Sequence, residues 1–164
     1  MRKDRLPTTA AVRVLRAAGV AFTTHPYAYE ERGGTEVSAR ELGVSEHAVI
    51  KTLVMEDDAK RPLVVLMHGD REVSTKNLAR LLGVKSVASC APAVADRHSG
   101  YQVGGTSPFG LKRAMPIYLE RSIAELPYIY VNGGRRGLLV GMAPADLVRV
   151  LGPVAVDAAT VKGE

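Results

Sequence analysis

The stretch Gly100-Tyr101-Gln102-Val103-Gly104-Gly105-Thr106-Ser107-Pro108-Phe109-Gly110 joins backbone freedom to small polar groups. Tyr101-Gln102-Val103 reads as extended and β-prone, and the glycine pair after it can take positive φ and admit a bound group close to main-chain N–H donors. Ser107-Pro108 stiffens the exit, because proline fixes its own φ and drives the residue before it toward extended geometry. The chemistry on offer is a rim of amides able to hold an oxyanion or a carbonyl oxygen; a plain turn between strands explains the same composition. Lys51 heads an apolar strand after Val49-Ile50, where an ammonium can bind phosphate or polarise a carbonyl, or simply snorkel from a strand end. Asp146 can orient a ligand hydroxyl or amine, or answer a helix dipole. Tyr27 can stack on a base or pack on a neighbouring strand, and Arg135-Arg136 can meet phosphates or cap a hairpin with charge.

Other chemistries find no support. There is no Gly-x-Ser-x-Gly elbow, no phosphate-binding Walker loop and no His-Glu-x-x-His, and His25, His47, His68 and His98 fall in separate segments. Neither a metal nor a cofactor is expected. Cys90 is the one cysteine, so it makes no internal disulfide, and no zinc spacing surrounds it. It reads as a small buried residue, with a free-thiol enzyme as a distant alternative. A reducing, cytoplasmic setting is the expectation. No apolar run is long enough to span a bilayer, and Met1-Arg2-Lys3-Asp4-Arg5 leads into no signal-peptide core. A net charge of +5 suits a polyanionic partner as well as it suits a solvated surface, since the basic residues are dispersed.

The elements that must position these residues follow from the pattern. The 164 residues fit one domain, 1–164, with its core at about 8–152. Thr8 or Thr9 caps a helix whose Val12, Leu15 and Ala18 share a face and which Gly19 ends. Val20 to His25 reads as a strand, Pro26 to Gly34 as a loop and candidate lid, and Thr35 as the cap of a short helix closed by Gly43. One helical turn over Ser45–Ile50 feeds the strand Lys51–Glu56, which Asp57–Arg61 turns into the antiparallel Pro62–Met67. Ser74 caps a helix with Leu78, Leu81 and Leu82 inward, a strand lies near Val84–Val87, and Ala91–His98 is a helix with proline in its first turn. Ile117–Leu119 and Tyr128–Val131 are strands, Asn132-Gly133-Gly134 turns the latter back through Leu138–Val140, and Pro144 opens a last helix. Strict βα alternation is absent, so the fold class is α+β: one curved, mixed, largely antiparallel, barrel-like sheet flanked by helices.

Taken together, Lys51-Thr52-Leu53-Val54, the Gly100–Gly110 rim, Tyr130-Val131-Asn132-Gly133-Gly134-Arg135-Arg136-Gly137 and Ala143-Pro144-Ala145-Asp146-Leu147 resemble the YbaK-type aminoacyl-tRNA deacylases. These are relatives of the editing domain of bacterial prolyl-tRNA synthetases. The resemblance implies a trans-editing hydrolase that cleaves the ester of a mischarged tRNA, with Cys-tRNA(Pro) the leading substrate, tRNA the partner and prolyl-tRNA synthetase a candidate carrier. It places the catalytic roles on Lys51, Gly104, Gly105 and Asp146, and substrate binding on Tyr27, Thr52, Thr106, Ser107, Arg135 and Arg136. Thr106 stands where many members have isoleucine, and Val87-Ala88-Ser89-Cys90 departs from the usual Val-Glu-Met-Ala. An aminoacyl ester is already activated, so positioning and carbonyl polarisation can suffice without a triad, with water or a substrate group as nucleophile. The alternative is a non-catalytic module that binds RNA or a nucleotide on the same scaffold.

Overall fold

The structure, a computed structural model, describes residues 8–161. Its organising element is a hairpin of β2 (Val49–Asp57) and β3 (Pro62–His68), in register with Lys51 opposite Met67 and Leu53 opposite Val65. Asp57 makes the turn: its Oδ1 accepts the N–H groups of Ala59 and Arg61, and Lys60 takes a left-handed φ of 65°. Every residue of β3 is buried, as its unbroken apolar run requires.

Around this hairpin an eight-stranded sheet runs in the order β1-β8-β7-β2-β3-β6-β9, with β5 also on β2. Its further strands are β1 (Thr23–Pro26), β5 (Val87–Ser89), β6 (Ile117–Glu120), β7 (Ile129–Asn132), β8 (Leu138–Met142) and β9 (Val154–Val156). Pairings of β2 with β7, β3 with β6 and β6 with β9 are parallel; the others in this sheet are antiparallel. A separate ribbon joins β4 (Arg71–Val73) to β10 (Ala159–Val161).

On one face, Ile50, Val54, Val64, Leu66, Val131 and Val140 pack against α1 (Ala10–Ala17), α4 (Pro92–Ser99) and α5 (Pro144–Leu151), with Phe109 fully buried among them. On the other, Val49 and Leu139 meet α2 (Gly34–Leu42), while Met55, Leu63 and Val65 meet α3 (Thr75–Leu82). Fully burying one such aliphatic side chain contributes roughly 1.5–3 kcal/mol. The core is aliphatic, as the composition implies.

One break in this sheet positions everything that follows. Along its edge away from β3, β2 is paired with β7 only over Val49–Ile50 and with β5 only over Met55–Asp57. Between those pairings no strand among the described residues lies beside Lys51 to Val54, and the sheet opens there.

The local expectations hold where side chains act on their own backbone. Thr9 Oγ1 accepts the Val12 N–H and Ser74 Oγ the Asn77 N–H, and Gly43 and Gly83 end their helices in left-handed geometry. They fail where a distant partner intervenes. Thr35 is not a cap: α2 begins at Gly34, and the Thr35 hydroxyl instead lies 2.8 Å from Glu46 Oε2 and 3.2 Å from the Gly69 carbonyl. The first strand starts at Thr23, because Val20 turns into the core. The strand expected at Val84–Val87 forms at Val87–Ser89, since Lys85 and Ser86 donate their N–H groups to Asp58. Tyr101-Gln102-Val103 is no strand; Gln102 to Gly105 is a turn closed by the Gly105 N–H on the Gln102 carbonyl at 2.7 Å.

Candidate functional site

The opening beside Lys51–Val54 is the floor of a cavity of about 670 Å3. Its walls are the Tyr27–Arg32 loop and the start of α2 on one side, Cys90 and Ala95 on another, and Gln102, Val103, Gly104 and Thr106 of the glycine-rich segment on a third. Asn132 and Arg136, from the β7–β8 turn, complete it.

Side-chain to main-chain bonds hold these walls in place. The Arg136 guanidinium lies 5.0 Å from the centre of the Tyr29 ring and donates from Nε to the Val103 carbonyl at 3.0 Å. Asn132 donates from Nδ2 to the Gly104 carbonyl at 3.2 Å, while its Oδ1 accepts the N–H groups of Gly134 and Arg135. Both glycines are required by close approach. A Cβ on Gly104, whose φ is +94°, would sit 2.6 Å from the Tyr29 hydroxyl, and one on Gly105 would sit 2.6 Å from the Arg136 main-chain nitrogen.

The fold brings Lys51, Thr52, Gly104, Thr106, Tyr27 and Arg136, far apart in sequence, to one cavity.

 This shared wall gathers four separate stretches of the chain. Lys51 is half-buried, and its Nζ donates to the Arg71 carbonyl at 2.5 Å. Thr106 is 9% exposed, with Oγ1 3.5 Å from the Gln102 carbonyl. Burial raises the Tyr27 hydroxyl above its ordinary pKa, so that phenol stays neutral and available as a donor.

The other expected residues lie outside the wall. Gly105 is buried behind the turn with its amide already donated to Gln102, so it is not the exposed donor that the sequence suggests. Ser107 is fully buried and accepts the Phe109 N–H at 3.1 Å. Arg135 is exposed on the β7–β8 turn. Asp146 sits in the first turn of α5, where its Oδ1 pairs with Arg149 Nη2 at 3.1 Å.

Sequence spacing gives no warning of a second polar group at the cavity edge. Cys90, Glu56 and His98 place their ligand-type atoms within 4.8 Å of one another. Arg113 Nη1 lies 3.3 Å from His98 Nδ1, and a guanidinium only donates, so the ring proton belongs on Nε2, which faces Glu56 Oε2 at 3.2 Å. The cluster is thus satisfied by protein groups alone. Burial, then the Glu56 carboxylate, pushes the Cys90 thiol up to about 11, the opposite of nucleophile activation. Tyr29, Asn132 and Gln102 were also not singled out; Asn132 carries a turn signal, but nothing in the sequence says that its amide grips the opposite loop.

Thr52 differs from all of these. Val49 accepts from Gly69 on the β3 side and Val54 accepts from Cys90 on the other, so by strand alternation the Thr52 N–H and C=O point away from β3 into the opening. Among the described residues, its hydroxyl is also the one buried side-chain oxygen or nitrogen without a hydrogen-bond partner.

Comparison with known proteins agrees with this architecture. The family described as Aminoacyl-tRNA editing domain matches residues 30–150. The chain is 30% identical, over 90% of each sequence, to an Enterococcus faecalis protein named "Putative Cys-tRNA(Pro)/Cys-tRNA(Cys) deacylase EbsC". It is also 30% identical to the proline–tRNA ligase of Thermodesulfovibrio yellowstonii over 67% of this chain, which is 18% of that enzyme. A crystal structure of a hypothetical protein, APE2540, superposes with a TM-score of 0.84 at 26% identity, covering 92% of this chain and 99% of the other. One described as a putative trans-editing enzyme for prolyl tRNA synthetase shares the fold, with a TM-score of 0.80 at 20% identity over 94% and 99% of the two chains. With most of its length matched by the family and a relative of similar size aligned nearly end to end, the chain belongs to the aminoacyl-tRNA editing domain family.

Proposed function

We propose that this protein is a trans-acting aminoacyl-tRNA deacylase that hydrolyses the ester of mischarged tRNA, with Cys-tRNA(Pro) as its leading substrate. The observation that carries this reading is the break in the sheet, which leaves a cavity walled by Lys51, Thr52 and Gly104. The 3′-terminal aminoacyl adenosine enters there. The nucleophile, water or a group of the substrate, adds to the ester carbonyl, and the ribose oxygen leaves with a proton. Gly104 offers its main-chain N–H to the developing oxyanion, and Lys51 shifts from the Arg71 carbonyl to a phosphate or to the ester oxygen. Tyr27 and Thr106 bound the substrate, and Arg135 and Arg136 face tRNA phosphate. Gly105 and Ser107 act behind them by fixing the turn, and Asp146 acts at a distance through its hold on Arg149.

The chain acts as one editing domain in the cytoplasm, with prolyl-tRNA synthetase presenting the tRNA. Among the described residues no helix is long and apolar enough to cross a membrane. Relatives named as proline–tRNA ligases motivate the partnership. Small pockets discriminate poorly between amino acids of similar volume, which is why a second, hydrolytic selection is useful.

A non-catalytic RNA-binding module is the second reading, favoured by one observation: the Gly105 amide and the Lys51 ammonium both have protein partners already. A panel of misacylated tRNAs separates the two. The deacylase shortens the lifetime of one ester, Cys-tRNA(Pro) first among them; a binder retains RNA on a filter and leaves every ester at its buffer lifetime.

A further inference from the structure

We infer that Thr52 is the anchor for the α-aminoacyl group, binding it as a one-residue β-strand, so that the site selects L-aminoacyl esters with a free α-amino group and a small side chain. This rests on the reading of the cavity as an ester site and goes beyond it by stating what part of the substrate is held and how.

Three observations meet at this residue. Its N–H and C=O face an opening where the flanking pairings of β2 stop, at Ile50 on one side and Met55 on the other. Neither group has a partner among the described residues, and the hydroxyl of the same residue is buried without one. Main-chain groups of a central strand that no neighbouring strand takes up are free to bind a ligand that brings the matching donor and acceptor.

The ligand that completes them carries a donor and an acceptor on the skeleton N–Cα–C=O. An α-aminoacyl ester has that skeleton. In an antiparallel ladder two facing residues of a hydrogen-bonded pair exchange both bonds, N–H to C=O in each direction. The Thr52 N–H then donates to the ester carbonyl, and the substrate's α-ammonium donates to the Thr52 carbonyl.

Such pairing also fixes the direction of the substrate's side chain. Facing residues of a ladder put their side chains on the same face, here the face of Thr52 and Val54. The cavity residues on that side are Val54, Cys90, Ala95 and Thr106, which leave room for a short side chain. Cys90, a neutral thiol held up by burial, is then a wall of this subsite and not a nucleophile. A D-aminoacyl group held by the same two bonds turns its side chain to the opposite face.

The experiment uses the full chain and stable amide analogues of the 3′ end: 3′-(L-cysteinylamino)-3′-deoxyadenosine, its D enantiomer, and its N-acetyl derivative. Calorimetry measures binding of each to the wild type and to Thr52→Val, which keeps the shape and main chain but removes the hydroxyl. The L form with a free amine binds at least about tenfold more tightly than either of the others, because each loses a hydrogen bond to a buried group. Thr52→Val keeps the preference for the L form over both the D and the N-acetyl forms, since the main-chain bonds remain. Equal affinity for the free and N-acetylated forms, or for the two enantiomers, overturns the inference, as does no binding of the L form. If the L form binds with the stated preferences while no aminoacyl-tRNA is hydrolysed, the anchor stands and the deacylase reading fails.

Discussion

Two regions of this protein bury polar side-chain atoms, and they treat them in opposite ways. At the ends of β3 and β6, His68 is 1% exposed and Glu120 5% exposed, and both side chains have protein hydrogen-bond partners. His68 Nδ1 donates to the His47 carbonyl at 2.7 Å, the Ser122 hydroxyl lies 2.7 Å from His68 Nε2 and 3.1 Å from Glu120 Oε2 and gives its one proton to one of them at a time, and Glu120 Oε1 accepts the Ala158 N–H at 2.8 Å. His47 stacks on His68 with ring centres 3.7 Å apart and pairs with Asp70. At the cavity, by contrast, the Thr52 hydroxyl is left without a partner, and its main chain faces the gap between the β7 and β5 pairings. A satisfied buried network holds strands together; an unsatisfied one in a cavity wall costs stability and is tolerated where a ligand completes it.

The contrast makes predictions of opposite sign. Lys51→Ala is the largest on activity: deacylation falls by about 100-fold or more, the scale of losing one electrostatic contact to the reacting group, while urea unfolding changes by less than about 1 kcal/mol. Glu120→Ala is the largest on stability. It strands the Ala158 N–H and lowers the unfolding free energy by about 2–3 kcal/mol, with deacylation of the remaining folded protein unchanged. Were both substitutions to affect activity and stability alike, the division of the molecule into a structural and a functional polar region would dissolve.

A smaller effect comes from protonation. Burial holds the His68 imidazole below its ordinary pKa, so the folded protein keeps it neutral while the unfolded chain binds a proton near pH 6.5. The unfolded state therefore takes up more protons as pH falls, and stability, full above about pH 6.5, declines below it. A His68→Gln variant flattens this part of the pH–stability curve measured by urea titration. Smallest is Thr52→Val, which removes a buried hydroxyl that has no partner: unfolding free energy stays level or rises by up to about 1 kcal/mol. Cys90 gives an independent check on the cavity edge. With its thiol at about 11 against an ordinary value of 9.0, alkylation by iodoacetamide at pH 8 runs about 100-fold slower than for an exposed thiol.

What the sequence reveals follows the range of the interactions. Helix ends written by a residue on its own backbone, such as Thr9, Ser74, Gly43 and Gly83, were legible, and so was the β2–β3 hairpin with its Asp57–Arg61 turn. Thr35 misled because its hydroxyl serves Gly69 and Glu46, partners that only the fold brings near. Tyr101–Val103 misled because β-propensity lost to a turn fixed by Arg136 and Asn132 from another hairpin. At the site, Lys51, Thr52, Gly104 and Tyr27 could be named from motifs, but that Gly105 spends its amide on Gln102 and that Asp146 points to Arg149 depend on distances no spacing encodes. The opening in the sheet was invisible for the same reason. It exists because β7 stops pairing with β2 after Ile50 and β5 starts only at Met55, a matter of where three strands end in space.

The central claim is that the ester is hydrolysed in the cavity beside the unpaired edge of β2. Single-turnover hydrolysis of Cys-tRNA(Pro) by the wild type and by Gly104→Val tests it most directly, because a side chain at that position must displace the Tyr29 hydroxyl and enter the cavity mouth. The account predicts rapid loss of the cysteinyl ester with the wild type and a rate lower by about 100-fold or more with the folded variant. Hydrolysis at the wild-type rate by Gly104→Val would contradict it and put the chemistry somewhere else on the molecule.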